Sequence, residues 1–205
     1  MTVVLDSAAR RGVDLVLASL GLVFTTVPMA VIALLIRVTS RGPAIFRQVR
    51  LGRGGKPFTL YKFRSMRVTG SGPAVSGEAD PRITSVGRWL RERRLDELPQ
   101  LVNLLRGDMT LIGPRPEVAK FVEHYTPEEM RTLDVRPGII GPGAILFARE
   151  LAAELDEIED PDAHYIDHQL HPKLAHDLAY LRSRSVSEDL SLLMRALRVA
   201  GRGET

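Results

Sequence analysis

The chain has 205 residues, 44% hydrophobic and 26% charged. That is enough for one domain with a core of its own, and it excludes a disordered tail, a collagen-like rod or a mini-protein. Cysteine is absent, which excludes disulfides, cysteine–zinc sites and a thiol nucleophile. The net charge of +3 conceals an asymmetry: residues 1–77 carry 11 basic and 2 acidic side chains, residues 78–205 carry 17 and 23. This split points to a polyanion or an anionic membrane surface beside the N-terminal part.

The 22 residues from Leu15 to Ile36 carry no charge. As a helix they reach about 33 Å, enough for a bilayer core of about 30 Å. A signal peptide fits poorly, because the run is longer than its usual apolar core and no small-residue cleavage site follows. Residues 37–77 hold 9 Lys or Arg and no acid, the pattern of a segment kept in the cytoplasm. Arg10 and Arg11 before the run and Arg37 and Arg41 after it ask for both ends on that side. Pro28 lies inside the run; its ring removes an N–H and crowds the Phe24 carbonyl. Thr25 and Thr26 are placed to satisfy the freed backbone groups. Two readings stand: a re-entrant helix broken near Pro28, or a kinked single-pass helix, since membrane helices tolerate proline. The chain thereby divides into residues 1–40, a membrane helix with its flanks, and residues 41–205, a cytoplasmic domain.

Beyond it, Ala44–Val49 and Phe58–Phe63 read as strands, with Gly52, Gly54 and Gly55 between them predicting a hairpin. Thr69–Gly77 is rich in Gly and Ser and reads as a mobile loop. Ser85–Arg94 and Leu98–Leu105 read as helices, the second closed by Gly107. Pro114 and Pro116 exclude helix around Arg115. Pro127–Leu133 reads as a short helix, and residues 136–143 as irregular or extended. The tail from Asp189 to Val199 has the apolar spacing of a helix that belongs to the core or lies on a membrane. The expected fold class is α+β, mainly helical with a small β-hairpin.

The most informative stretch is Leu95 to Leu101, reading LDELPQL. Pro99 is compatible only with the first turn of a helix, so Asp96 and Glu97 fall at or just before a helix N-terminus. They suit that position as ordinary capping residues. Two adjacent carboxylates can also bind a divalent cation, or one can act as a nucleophile. Arg88, Arg91, Arg93, Arg94 and Arg106 crowd the same segment. Arg115 sits in a rigid loop suited to bidentate phosphate contacts, or to pairing with Glu117 at a surface turn. Carboxylates, a divalent cation and arginines beside a membrane helix suggest phosphoryl transfer on a membrane-bound substrate.

Residues 82–91 (RITSVGRWLR) and 95–117 (LDELPQLVNLLRGDMTLIGPRPE) resemble the bacterial sugar transferases known as monotopic phosphoglycosyl transferases. Residues 42–52 (GPAIFRQVRLG), 58–66 (FTLYKFRSM) and 135–139 (VRPGI) carry the same resemblance, which runs from about residue 9 to 141. It implies a re-entrant N-terminal helix in the bacterial inner membrane, a cytoplasmic catalytic domain and Mg²⁺ bound by Asp96 and Glu97. The implied reaction moves a sugar 1-phosphate from a UDP-sugar to polyprenyl phosphate and releases UMP. Asp96 is the implied nucleophile, with Glu97 positioning it or the metal. Arg91 and Arg115 match arginines near phosphate or nucleotide, and Arg149 matches more weakly. Lys62 and Arg64 lie in a matched motif, as ligands of phosphate or lipid headgroups or as a strand face near anionic lipid.

Three departures stand out. The family carries Ser-Pro at its helix break, where this chain has Val27-Pro28, so Thr25 or Thr26 would supply the hydroxyl. Residues 141–148 (GPGAILFA) replace a stretch expected to help read the nucleotide or sugar. The tail carries His164, His168, His171 and His176 with Asp167. His164 and His168 are one helical turn apart, a transition-metal pair or a polar surface helix, and Pro172 is expected to end that helix before His176. A membrane-attached scaffold of the same fold is the alternative function. Nucleic acid is excluded as a partner, because the basic part borders an apolar run rather than stacking aromatics. A homodimer is compatible with the sequence and not required by it.

Overall fold

The computed structural model describes residues 7–67, 72–145, 155 and 158–202. Helix α1 spans Ala8–Thr39. It is followed by β1 (Ile45–Leu51) and β2 (Pro57–Phe63), then α2 (Ser85–Glu92), a 3-10 turn at Leu95–Glu97 and α3 (Gln100–Arg106). Strand β3 (Thr110–Ile112), α4 (Ala119–Val122), a second 3-10 turn at Glu129–Asp134 and β4 (Gly138–Ile140) come next. The C-terminal part is helical: α5 (Pro161–His164), a π-helical segment at Tyr165–Leu170, α6 (His171–Ser183) and α7 (Val186–Arg202). The expected α+β class, mainly helical with a hairpin, is what the chain adopts.

Strands β1 and β2 pair antiparallel from Ile45↔Phe63 to Leu51↔Pro57, each running further toward the turn than expected. The turn works because Gly54 and Gly55 adopt φ of 68° and 70°, which glycine reaches without steric cost. Helix α3 clips to this hairpin through one buried side chain. Asn103 accepts from the Tyr61 N–H at 3.1 Å and donates to the Thr59 carbonyl at 2.7 Å, standing in for a third strand. A short parallel pair, β3 with β4, joins the proline-rich loop to the segment after Arg136; three residues per strand are too few for a periodic signal.

Helix α1 is one helix of 32 residues with Pro28 inside it. The break expected at Pro28 is therefore not an interruption of helical structure. Nor do the threonines serve the Phe24 carbonyl that Pro28 leaves without its donor. Thr25 and Thr26 donate instead to the carbonyls of Gly21 and Leu22, at 2.7 and 2.5 Å, which are their own i−4 partners.

The domain holds α1 along its length. Arg11 donates to the Leu104 and Leu105 carbonyls at the end of α3, at 2.6 and 2.8 Å. Asp14 accepts from Thr110 Oγ1 at 2.8 Å and from the Leu111 N–H at 3.0 Å. A side chain at Gly21 would meet Leu101 Cδ1 at 3.1 Å. Ile32 and Ile36 pack with Phe63 and Leu90 into one core cluster. The opposite face is bare and apolar: Val16, Leu20, Val23, Phe24, Val27, Val31, Leu34 and Val38 are exposed, Phe24 by 77%. These positions recur at helical spacing and form one stripe.

The C-terminal helices supply two further core clusters. Tyr165, Leu170 and Leu174 pack on Phe121, and Tyr180, Leu181 and Leu192 pack on Ile112 and Val135. Pro172 does not end the helix. It takes a first-turn position of α6, directly after the π-helical segment, where no intrahelical N–H is needed.

Candidate active site

A cleft of about 1450 Å³ opens between the hairpin, α2, the Asp96 turn, the proline-rich loop and the start of α6. The local sequence explains how the turn is built. Thr84 caps α2 through an Oγ1 that accepts from the Gly87 N–H at 2.9 Å. The helix ends at Glu92, and Arg94, two residues on, reverses the chain with a φ of 55°. Leu95–Glu97 then forms a 3-10 turn, and Pro99 stands at the entry of α3. This matches the position expected for Asp96 and Glu97 just before a helix. Both are buried, at 7% and 9% exposure.

The two carboxylates differ in their partners. Glu97 accepts from both terminal nitrogens of Arg115 and from Lys62 Nζ, the latter at 3.2 Å. Burial alone would raise its pKa, but Arg115 and Lys62 hold it well below the usual carboxylate range. Glu97 in turn raises the pKa of Arg115. Asp96 makes no side-chain hydrogen bond or ion pair with any described residue. Burial pushes its pKa up, and the positive charges of Lys62, Arg91 and Arg115 only partly oppose that. One carboxylate is thus fixed as an anion, and its neighbour stays unengaged in the cleft.

Of the expected ligands, Lys62, Arg91 and Arg115 all line the cleft. Arg91 donates to Ser76 Oγ at 3.2 and 3.3 Å. Residues 74–76, within the loop expected to be mobile, are thereby fastened on one side. On the other side the Ala74 and Val75 N–H groups donate to Asp162. Arg115 pairs with Glu97 rather than Glu117. Arg88 and Arg94 also line the cleft, whereas Arg93 stacks on Trp89 and Arg106 on Tyr61.

Arg64 requires a correction. It borders the cleft, but its guanidinium donates to the Arg41 and Ser40 carbonyls at 2.5 and 2.9 Å and to Ser40 Oγ at 2.7 Å. It closes the end of α1 and is not free for a phosphate. Arg149 lies outside the described residues.

Sequence reasoning missed a second buried group in the same cleft. Glu117 accepts from Lys173, Tyr165 Oη and Arg50. One turn beyond Lys173, Asp177 accepts from the Gly143 N–H at 2.9 Å, and burial raises its pKa to about 7. Lys173 and Asp177 are far from Glu117 in sequence, so only the docking of α6 brings them together.

The metal expectations fare unevenly. Among the described residues no group of three or more His, Asp or Glu side chains is arranged to hold a metal ion. His164 and His168 stack at 4.4 Å, ring on ring. At the Asp96–Glu97 turn the Asp96 carboxylate, unengaged by any described residue, is of the right chemistry for a cation completed by phosphate oxygens. Glu97 is committed to Arg115 and Lys62.

The family model described as bacterial sugar transferase matches residues 5–203. Three curated relatives align over most of this chain. The Caulobacter vibrioides UDP-glucose:undecaprenyl-phosphate glucose-1-phosphate transferase is 36% identical over 92% of this chain and 68% of its own length. The Escherichia coli enzyme of the same name is 38% identical over 90% and 38%. The Aeromonas hydrophila UDP-N-acetylgalactosamine-undecaprenyl-phosphate N-acetylgalactosaminephosphotransferase is 35% identical over 92% and 43%. By the extent of the family match and by these relatives, the chain belongs to the bacterial sugar transferase family.

Proposed function

We propose that this chain is a phosphoglycosyl transferase that moves a sugar 1-phosphate from a UDP-sugar to polyprenyl phosphate through an aspartyl intermediate. The observation that carries the reading is the unengaged, buried Asp96 carboxylate beside a Glu97 saturated by Arg115 and Lys62. An Asp96 oxygen attacks the sugar-bearing phosphorus, the bond to the bridging oxygen breaks, and UMP leaves with that electron pair. An oxygen of the polyprenyl phosphate then attacks the same phosphorus and releases the Asp96 carboxylate. Splitting one transfer into two predicts ping-pong kinetics. Glu97 keeps Arg115 and Lys62 in place, and Arg91 adds a third cation near the phosphates. Mg²⁺ held by Asp96 and the diphosphate would offset charge on the nucleotide when bound. The relatives carry two different sugars at similar identity, so the sugar is left to experiment.

Attachment to the cytoplasmic face of the inner membrane is part of this proposal. Helix α1 is long and apolar enough to cross a bilayer. Yet its first turns bond to α3 and β3, and Ser40, which caps its end, bonds to Arg64 of the same domain. A spanning helix would carry those ends to opposite sides of a core of about 30 Å. This supports a monotopic helix with both ends on one side and its bare stripe in lipid. Single cysteines at positions 2 and 40 of this cysteine-free chain test it; labels reached from opposite faces would remove the monotopic reading.

The activity test is UMP release by the lipid-reconstituted protein, with polyprenyl phosphate and a panel of UDP-sugars. Release with at least one donor, and at least about a 10³-fold loss in Asp96→Asn, is the expected result. Full activity in that variant would remove Asp96 as nucleophile, and silence with every donor would favour a scaffold.

A further inference from the structure

Twelve cationic side chains and five carboxylates line the cleft. Most of the cations are engaged: Lys62 and Arg115 with Glu97, Arg50 and Lys173 with Glu117, Arg91 with Ser76. Four guanidinium groups make no hydrogen bond or ion pair with any described residue: those of Arg37, Arg47, Arg67 and Arg94. The first three are exposed, and Arg94 is half-buried.

Arg94 is unusual in its backbone as well. Its φ of 55° makes it the only non-glycine residue with positive φ among the described residues. An L-residue with a long side chain is strained there, whereas Gly or Asn would make the same reversal at lower cost. The turn therefore does not account for an arginine at this position. The charge is also placed against its neighbours. Arg94 is half-buried and lines the cleft together with Arg91, Asp96 and Glu97, so its charge stands at the Asp96–Glu97 turn and not in bulk solvent. The strain of this backbone conformation is repaid by no hydrogen bond or ion pair of the guanidinium with a described residue, and a phosphate would supply one.

Resting on the function proposed above, we infer that Arg94 is a phosphate-binding residue of the cleft, its guanidinium receiving phosphate oxygens of an incoming substrate beside Asp96. The planar fork of N–H donors matches those oxygens in two-point contacts that a lysine cannot reproduce. The phosphate belongs to the diphosphate of the nucleotide sugar or to the monoester of the lipid.

Arg94→Gly keeps the left-handed turn and removes the guanidinium; Arg94→Lys keeps the charge without the fork. Both are compared with wild type in the lipid-reconstituted full chain by melting temperature, by KM for each substrate, and by affinity for UDP and for inorganic pyrophosphate. Arg94→Gly is expected to melt at or above the wild-type temperature while KM for one substrate rises at least 10-fold, with Arg94→Lys between. A matching loss of UDP and pyrophosphate affinity assigns the diphosphate. Unchanged UDP affinity with a raised KM for the lipid assigns the monoester. Both KM values and both affinities within twofold of wild type in Arg94→Gly would overturn the inference. If the wild type transfers nothing, the functional reading falls by itself. Pyrophosphate then decides Arg94: binding lost in Arg94→Gly supports it, and binding that is equal in both proteins or absent from the wild type overturns it.

Discussion

Asp96 and Glu97 are adjacent in one 3-10 turn, yet Glu97 takes the ion pairs of both Arg115 and Lys62 while Asp96 takes none from any described residue. Peptide geometry turns successive side chains of such a turn in different directions. One carboxylate can therefore meet the cations on β2 and the proline-rich loop while the other faces the cleft. Neighbours in sequence acquire opposite stability consequences.

For Asp96 the folded pKa is raised, so the fold prefers the neutral acid. Its contribution is most favourable below the unfolded value of about 3.9 and is lost as pH rises through the raised folded pKa. Asp96→Asn should therefore raise stability at neutral pH by about 1 kcal/mol while abolishing transfer. Thermal unfolding of the two proteins at pH 7 checks it, and a lower melting temperature for the variant would contradict it.

Glu97 runs the other way. Its folded pKa is depressed, so its contribution is present above about pH 4.3 and lost only as pH falls well below the usual carboxylate range. Glu97→Gln leaves Arg115 and Lys62 facing each other without the anion. Since both cations retain some exposure, the loss should be about 2 kcal/mol, below that of a fully buried pair. The readout is denaturant midpoint at pH 7, together with a transfer rate well below wild type.

Asp177 should dominate the pH dependence between about 4 and 7. Its carboxyl is fully buried, one oxygen has no partner, and its pKa is raised to about 7. Stability from the neutral acid is present below the unfolded value of about 3.9 and is lost as pH rises toward the folded value. Asp177→Asn keeps an acceptor for the Gly143 N–H and removes the titration. Its melting temperature should vary less across that window than the wild type's.

Gly87 sets how closely α2 approaches the hairpin. A methyl group there would lie 1.9 Å from the Ser65 carbonyl oxygen, a clash that only a shift of α2 relieves. Gly87→Ala should cost about 3 kcal/mol. It should also raise KM for the nucleotide sugar, because α2 carries Arg91. Melting temperature and donor KM, measured together, test both halves.

Local chemistry made the Asp96–Glu97 turn legible. Pro99 restricts where a helix can begin, and Gly107, at φ 87°, ends α3 where expected. Val86 and Leu90 reveal a buried face on α2. What stayed hidden depends on distance along the chain. Whether Arg64 meets a phosphate or the carbonyls of residues 40 and 41 is decided by how α1 docks, and nothing around position 64 records that. Arg115 has Glu117 two residues away but bonds Glu97, because β3 pairs with β4 and fixes the direction of the loop. Pro172 carries the ordinary signal for a helix end, yet the π-helical segment before it removes the need for its N–H.

The fastening of α1 has a mechanical consequence. Arg64 grips Ser40 and Arg41, just past the end of that helix, and its own N–H donates to the Ala44 carbonyl at 2.8 Å. Lys62, two positions earlier and near the end of β2, bonds Glu97. The end of the apolar helix is thus joined, through this guanidinium and the packing of Ile32 and Ile36 on Phe63, to the strand beneath the Asp96–Glu97 turn. On the membrane-bound reading proposed above, a displacement of the apolar helix would reach the Glu97 ion pair by this short route.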